Sequence, residues 1–106
     1  MTNMEPIAPE QCRNLDEIRD CMDSLDKEII SLLARRLAYV RAAAKFKPSA
    51  ESVAAPERVE KVLDTRRLWA DQAGLDGDVI RSLYRDIVSY CVGEERKQWE
   101  RSQRQS

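Results

Sequence analysis

Several residue types on which enzymes commonly rely are missing or scarce in this sequence of 106 residues. There is no histidine, which removes the commonest general base and the commonest metal ligand. No glycine-rich phosphate loop, nucleophile elbow or Cys-x-x-Cys pair occurs. If the protein is an enzyme, these absences favour catalysis by binding, positioning and electrostatics, with no metal site.

Strong net charge and long apolar runs are also missing. The formal net charge is −1, so no global field attracts nucleic acid or an anionic membrane, and any anion site must come from a local cluster. No segment approaches the ~20 apolar residues of a membrane span, and the N-terminus lacks the apolar run of a signal peptide. Cys12, Cys21 and Cys91 have neither metal-type nor paired spacing. This pattern predicts reduced thiols in a cytoplasmic protein.

The composition favours one all-α domain over residues 1–106, because 42% of the residues are hydrophobic, 35% are charged and only three are glycine. Proline and glycine positions predict three helices, namely a long one over 14–47, a second beginning at Pro56 and ending before Gly74, and a third capped by Asp76. The remaining segments are predicted to be an extended arm (1–13), a mobile loop or simple connection (48–55) and a frayed tail (100–106).

The predicted first helix has an apolar stripe with alternating spacings of three and four, formed by Leu15, Ile18, Met22, Leu25, Ile29 and Leu32. A helix over 14–47 would be ~50 Å long. The remaining residues cannot cover a stripe of that length on one side. The sequence therefore predicts a homodimer in which a second copy covers it.

Three cations follow this helix. Arg36 stands where the rhythm calls for an apolar residue, Lys47 follows eleven positions later on the same predicted face, and Arg19 lies at the edge of the stripe. Arg19 or Lys47 alone could be a flanking cation whose stem covers the core. Arg36, inside the rhythm, indicates an anion partner. If two such helices pair antiparallel, Arg19 of one chain approaches Arg36 and Lys47 of the other, which makes a site for a small dianion.

The third helix carries one carboxylate on its apolar face. Ile80, Leu83, Tyr84, Ile87 and Cys91 form the stripe, and Glu95 follows Cys91 by four residues. Either Glu95 is solvated because the helix has left the core, or it faces the predicted site.

At this point the sequence resembles the all-helical chorismate mutase class, and within it the isochorismate-pyruvate lyases of salicylate biosynthesis. The resemblance is carried by the ordered stretches LDEIRDCMDSLDKEII, RRLAYVRAAAKFK, APERV, the W-A-x-x-x-G-L pattern from Trp69 to Leu75, and EERKQW. It implies an intertwined homodimer of three-helix chains. It also implies a cofactor-free pericyclic reaction of isochorismate, a dicarboxylate with an enolpyruvyl ether, with weak mutase activity on chorismate.

The resemblance also implies residue roles. Arg19 of the partner chain and Arg36 would hold the substrate carboxylates, Lys47 would lie by the ether oxygen, and Arg58 would lie at the rim of the pocket. Glu95 falls where many members have a glutamine that donates to the ether oxygen. Because an ionised carboxylate cannot donate a hydrogen bond, Glu95 would either work protonated or stand outside the site.

Two other interpretations stay open at this stage. A chorismate mutase would have the same fold and site, but the stretch FKPSAESVAAPERV resembles the lyase loop and lacks the Arg-Asp pair of several mutases. A non-catalytic helical dimer is the second alternative, and it leaves Arg36 in the stripe unexplained.

Overall fold

The computed structural model describes residues 7–105, in which every regular element is helical. There are three long helices, α1 (Leu15–Ala43), α3 (Pro56–Gln72) and α4 (Gly77–Gln105), and one short helix, α2 (Ala50–Ala54). The chain divides into two compact units, Met1–Arg36 and Leu37–Ser106. Within the described range, no helix is long and apolar enough to cross a membrane.

The start of α1 is fixed by a set of capping interactions in the first unit. Asn14 is the N-cap, and its Oδ1 accepts a hydrogen bond from the backbone N–H of Glu17 at 2.9 Å. The Glu17 carboxylate reaches back and accepts from the backbone N–H of Arg13 at 2.8 Å and from its guanidinium at 2.9 Å. These hydrogen bonds from Arg13 lower the pKa of Glu17. The predicted helix start at Asn14 is therefore confirmed.

The predicted apolar stripe of α1 is exposed along its length in the single chain. Leu15 is 55% exposed, Met22 51%, Ile29 54% and Leu32 56%. Isolated apolar side chains on a surface are ordinary, but this row is continuous over five turns.

In the second unit, α3 and α4 form a helical hairpin around a small core. Val62, Leu63 and Val88 are buried together, with Val59, Tyr84 and Val92 packed against them. Ala44, which follows α1, and Val53 of α2 are also buried, 1% and 2% exposed, and both segments pack against α4. The core therefore joins the end of α1, α2, α3 and α4.

The turn between α3 and α4 follows the predicted chemistry. Gly74 has a φ of 82° and lies in a Schellman motif, in which Leu75 N–H donates to the carbonyl of Ala70 at 2.8 Å. Asp76 caps α4, since its Oδ1 accepts from the backbone N–H of Asp78 at 3.0 Å. Gly77 is buried and donates its N–H to Asp71 Oδ1 at 3.0 Å, so a side chain at position 77 would collide with that carboxylate.

The structure differs from several predicted boundaries. Helix α1 ends at Ala43 and a short 3-10 segment follows over Ala44–Phe46, so Lys47 lies beyond the helix. A cause is Pro48, which disfavours helical geometry in the residue before it. The predicted loop 48–55 contains α2, and the predicted frayed tail is helical to Gln105. A 3-10 turn over Pro9–Gln11 interrupts the predicted arm, of which residues 1–6 lie outside the described range.

Candidate active site

Lys47 occupies the point where the chain leaves the helical geometry of α1. Its backbone is extended, with φ −97° and ψ 122°, and its N–H donates to the carbonyl of Ala44 at 3.1 Å. The prediction of a continuous helix that carries Lys47 onto the face of Arg36 was therefore wrong, because Ala44–Phe46 does not continue the α-helix. The side chain is instead directed by the turn and by its contacts with α2 and α4.

Glu95 of α4 is the ionic partner of Lys47. Its side chain is 7% exposed, and its Oε2 lies 2.9 Å from Lys47 Nζ, whose side chain is 26% exposed. The separation is that of an ion pair, although its angles are not those of an aligned hydrogen bond. The solvated alternative for Glu95 is thus wrong. A buried carboxylate is stable only with a compensating charge or donors, and here Lys47 supplies the charge.

A second contact to the ammonium group comes from the backbone of α2. Lys47 Nζ donates to the carbonyl oxygen of Ser52 at 3.2 Å. The position of α2 is set by its N-cap Ser49, whose Oγ accepts from the Ser52 N–H at 3.2 Å. The short helix that replaces the predicted loop therefore places a carbonyl dipole beside the lysine.

Trp99 contacts Lys47 as well, which the sequence interpretation missed. Its Nε1 donates to the carbonyl oxygen of Lys47 at 2.8 Å. Trp99 lies four residues after Glu95, and positions four apart share one face of a helix. That spacing was the available signal, but only the path of the chain after Phe46 shows which backbone the indole reaches.

The predicted arginines occupy different environments. Within the first unit, Arg19 is exposed and Arg36 is half-buried, both on α1. In the second unit, Arg58 is exposed in the first turn of α3. The single chain therefore brings Lys47 and Glu95 of the predicted set into contact.

A further ionic cluster adjoins the Lys47–Glu95 pair on α4. Glu94 accepts hydrogen bonds from Lys97 Nζ at 2.9 Å and from Arg41, near the end of α1, at 2.6 Å. These hydrogen bonds lower the pKa of Glu94, and the one from Lys97 has the larger effect. The cluster ties the last turn of α1 to α4 just before the chain reaches Lys47.

An open cleft of about 360 Å³ lies elsewhere in the second unit, between α3 and α4, and is lined by Asp64, Arg67, Asp78, Arg81, Ser82 and Arg85. Two of its three arginines are paired with carboxylates: Arg81 with Asp64 and Glu60, and Arg67 with Asp78. The hydrogen bond to Asp64 is the main cause of the raised pKa of Arg81. The cleft is thus a surface ion-pair network, and none of the predicted site residues lines it.

Within residues 7–105, no group of three or more cysteine, aspartate or glutamate side chains could hold a metal ion.

Comparison with known proteins places these residues in a wider context. The model of the family described as chorismate mutase type II matches residues 18–96. The isochorismate pyruvate lyase of Pseudomonas aeruginosa is 39% identical over 92 residues, which cover 87% of this chain and 91% of that protein. The T-protein of Haemophilus influenzae is 40% identical over 82 residues, 76% of this chain but 22% of that protein. A T-protein of Enterobacter agglomerans is 33% identical over 75 residues, 70% of this chain and 20% of that protein.

Proposed function

The chain belongs to the chorismate mutase type II family, and from this membership we propose that it is an isochorismate-pyruvate lyase. The observation that carries the proposal is the 39% identity to the Pseudomonas lyase, which extends over 91% of that protein. In the proposed reaction the ether C–O bond of isochorismate breaks while a ring hydrogen passes to the enolpyruvyl methylene group. The products are salicylate and pyruvate, and no external acid, base or cofactor enters the balance.

The contacts of Lys47 support its proposed role at the ether oxygen. An ammonium group has three N–H donors. One N–H of Lys47 donates to the carbonyl oxygen of Ser52, and the Glu95 carboxylate lies 2.9 Å from Nζ as its ionic partner. An N–H donor of the ammonium group is therefore left for a substrate oxygen. Negative charge builds on the ether oxygen as the C–O bond stretches, and a fixed cation stabilises it without reorganising in the transition state.

Glu95 acts in this proposal as a positioning residue for Lys47. Its contact with Nζ is that of a carboxylate with a cation, so it does not need to donate a hydrogen bond to substrate. Many similar enzymes are expected to have glutamine here, which would leave the positive charge of the lysine without a neighbouring carboxylate. In this chain the carboxylate lowers the net charge of the pair but holds the ammonium group in one place.

The exposed stripe of α1 supports the proposed homodimer. Since the apolar row from Leu15 to Leu32 is exposed in one chain, a second copy has an extended apolar surface on which to pack. Arg19 of the second copy and Arg36 would then bind the two substrate carboxylates, with Arg58 at the rim. Bidentate pairing with carboxylates is the geometry for which the guanidinium group is best suited.

The direct test incubates the purified protein with isochorismate and with chorismate separately. We expect equal amounts of salicylate, followed by its fluorescence, and pyruvate from isochorismate. A second candidate is chorismate mutase, favoured by the family match over residues 18–96, and prephenate as the main product would identify it. No turnover of either compound would instead support the non-catalytic helical dimer.

Arg36→Ala should abolish detectable turnover while leaving the helical content intact, because a substrate carboxylate loses its bidentate partner. Arg35→Ala is the matched control, since Arg35 is the exposed neighbour on α1. Turnover within a few-fold of wild type in Arg36→Ala would place the site elsewhere.

Mixing Arg19→Ala with Arg36→Ala should restore partial activity, because one of the two sites in a heterodimer keeps both arginines. No recovery in verified heterodimers would contradict sites shared between chains.

Lys47→Ala should lower kcat by about a few hundred-fold, the usual loss for one preorganised electrostatic contact. The accompanying rise in KM should be smaller than this fall in kcat. Steady-state kinetics with isochorismate measure both parameters. A change confined to KM would show that Lys47 stabilises the bound substrate and the transition state equally, and so acts only in binding.

A further inference from the structure

Lys47 is held at both its ends by one face of α4, and only one of these two attachments is ionic. Glu95 contacts the ammonium group at 2.9 Å, and Trp99 donates its indole N–H to the Lys47 carbonyl at 2.8 Å. The two α4 residues are one helical turn apart and project from the same face. A single rigid helix thus defines where the backbone of Lys47 lies and where its side chain ends.

The carbonyl contact matters because of the local backbone. Lys47 has left the helix, and Pro48 after it has no N–H to donate. The N–H of Lys47 is bonded to Ala44, but that bond alone does not fix the orientation of the following peptide group. The Trp99 indole, which is half-buried and 52 residues distant in sequence, fixes that peptide group to α4.

We propose that Trp99 is a positioning residue that sets the location of the Lys47 ammonium group through the Lys47 carbonyl. This inference rests on the proposed function for its effect on rate, but its structural part does not. With the carbonyl released, the peptide before Pro48 can rotate, and the ammonium group follows it away from the reacting oxygen. A displacement of this kind weakens a contact made in the transition state more than it weakens substrate binding.

Trp99→Phe is the sharpest test, because it keeps a ring of similar shape and removes the N–H donor. We expect kcat for isochorismate to fall roughly five-fold, the equivalent of one ordinary hydrogen bond, with KM nearly unchanged. Trp69→Phe is the matched control, since Trp69 is 52% exposed on α3 and should show wild-type kinetics. An unchanged kcat in Trp99→Phe, or a change confined to KM, would overturn the proposal.

A merely structural role is distinguished by repeating the substitution in a Lys47→Ala background, assayed at high enzyme concentration. If Trp99 acts through Lys47, the added Trp99→Phe change should have no further effect on the residual rate. A second five-fold loss there would show that Trp99 acts through the general packing of α4 and would overturn the proposal.

The structural part is tested without any activity. The chain has two tryptophans, so its nitrogen-15 NMR spectrum contains two indole N–H signals, assigned by their loss in the two Phe variants. We expect the Trp99 signal to be protected from hydrogen exchange and the Trp69 signal to exchange rapidly. Equal, rapid exchange would overturn the contact itself. A protected Trp99 signal in a protein that turns over neither substrate would keep the contact and reject the proposed function.

Discussion

The two members of the Lys47–Glu95 pair should contribute unequally to stability, because they are unequally exposed. Lys47→Met leaves a carboxylate that is 7% exposed without its cation, whereas Glu95→Gln leaves an ammonium group that is 26% exposed and still bonded to Ser52. Removing one partner of a fully buried pair costs about 3–5 kcal/mol, and we expect Lys47→Met to lie near 3. Glu95→Gln should cost about 1 kcal/mol, since the remaining cation reaches water.

The double variant Lys47→Met/Glu95→Gln isolates the interaction between them. With neither charge present, the loss should be smaller than the sum of the single losses by about 1–2 kcal/mol. Urea unfolding followed by circular dichroism measures these free energies. All variants must be compared at one protein concentration, because the stability of a dimer depends on it. Lys45→Met is the control, as Lys45 is exposed two residues earlier and should be additive with Glu95→Gln.

Equal losses from the two single variants, or additivity in the double variant, would refute the idea that the burial of Glu95 depends on its pairing with Lys47.

Two further predictions concern the scaffold. Gly77→Ala should destabilise the protein by about 1–3 kcal/mol in the same unfolding assay, because the added Cβ enters occupied space at the α3–α4 turn. Gly93→Ala is the control: its Cβ meets open space, and it should stabilise α4 by up to about 1 kcal/mol. A tolerated Gly77→Ala would contradict the close packing of this turn. The pKa of Glu94 is lowered by Lys97 and Arg41, so its contribution to stability is present above its ordinary pKa of about 4.3 and is lost as the pH falls through the lower folded value. Melting temperatures of Glu94→Gln should therefore lie below wild type at pH 7 and approach it below about pH 4, and a constant difference over that range would contradict the linkage.

Much of the fold could be predicted from the sequence because its boundaries have local causes. Asn14, Pro56, Gly74 and Asp76 each satisfy or remove backbone groups at a helix end, and the structure confirms all four. The period of the apolar residues likewise predicted an all-α chain. These signals act within a few residues, so they can be recognised without knowing the tertiary structure.

The end of α1 and the surroundings of Lys47 could not be predicted in the same way. Pro48 accounts locally for the extended backbone of Lys47, but no local signal predicts the 3-10 geometry over Ala44–Phe46, where Ala44 is buried in a segment that packs against α4. The same holds for the contact between Trp99 and the Lys47 carbonyl, which joins positions 52 apart. Burial of Glu95 was one of two open alternatives, since a carboxylate on an apolar stripe occurs both in sites and at helix ends.

At the proposed active site, the pairing of Lys47 with Glu95 has a consequence for the design of inhibitors. Taken together the two side chains carry no net charge, so a ligand carboxylate placed next to the ammonium group would also lie close to the Glu95 carboxylate and be repelled by it. A neutral acceptor, such as an ether or carbonyl oxygen, gains the lysine hydrogen bond with much less of that repulsion. Analogues that place a neutral oxygen there should therefore bind more tightly than isosteric carboxylates.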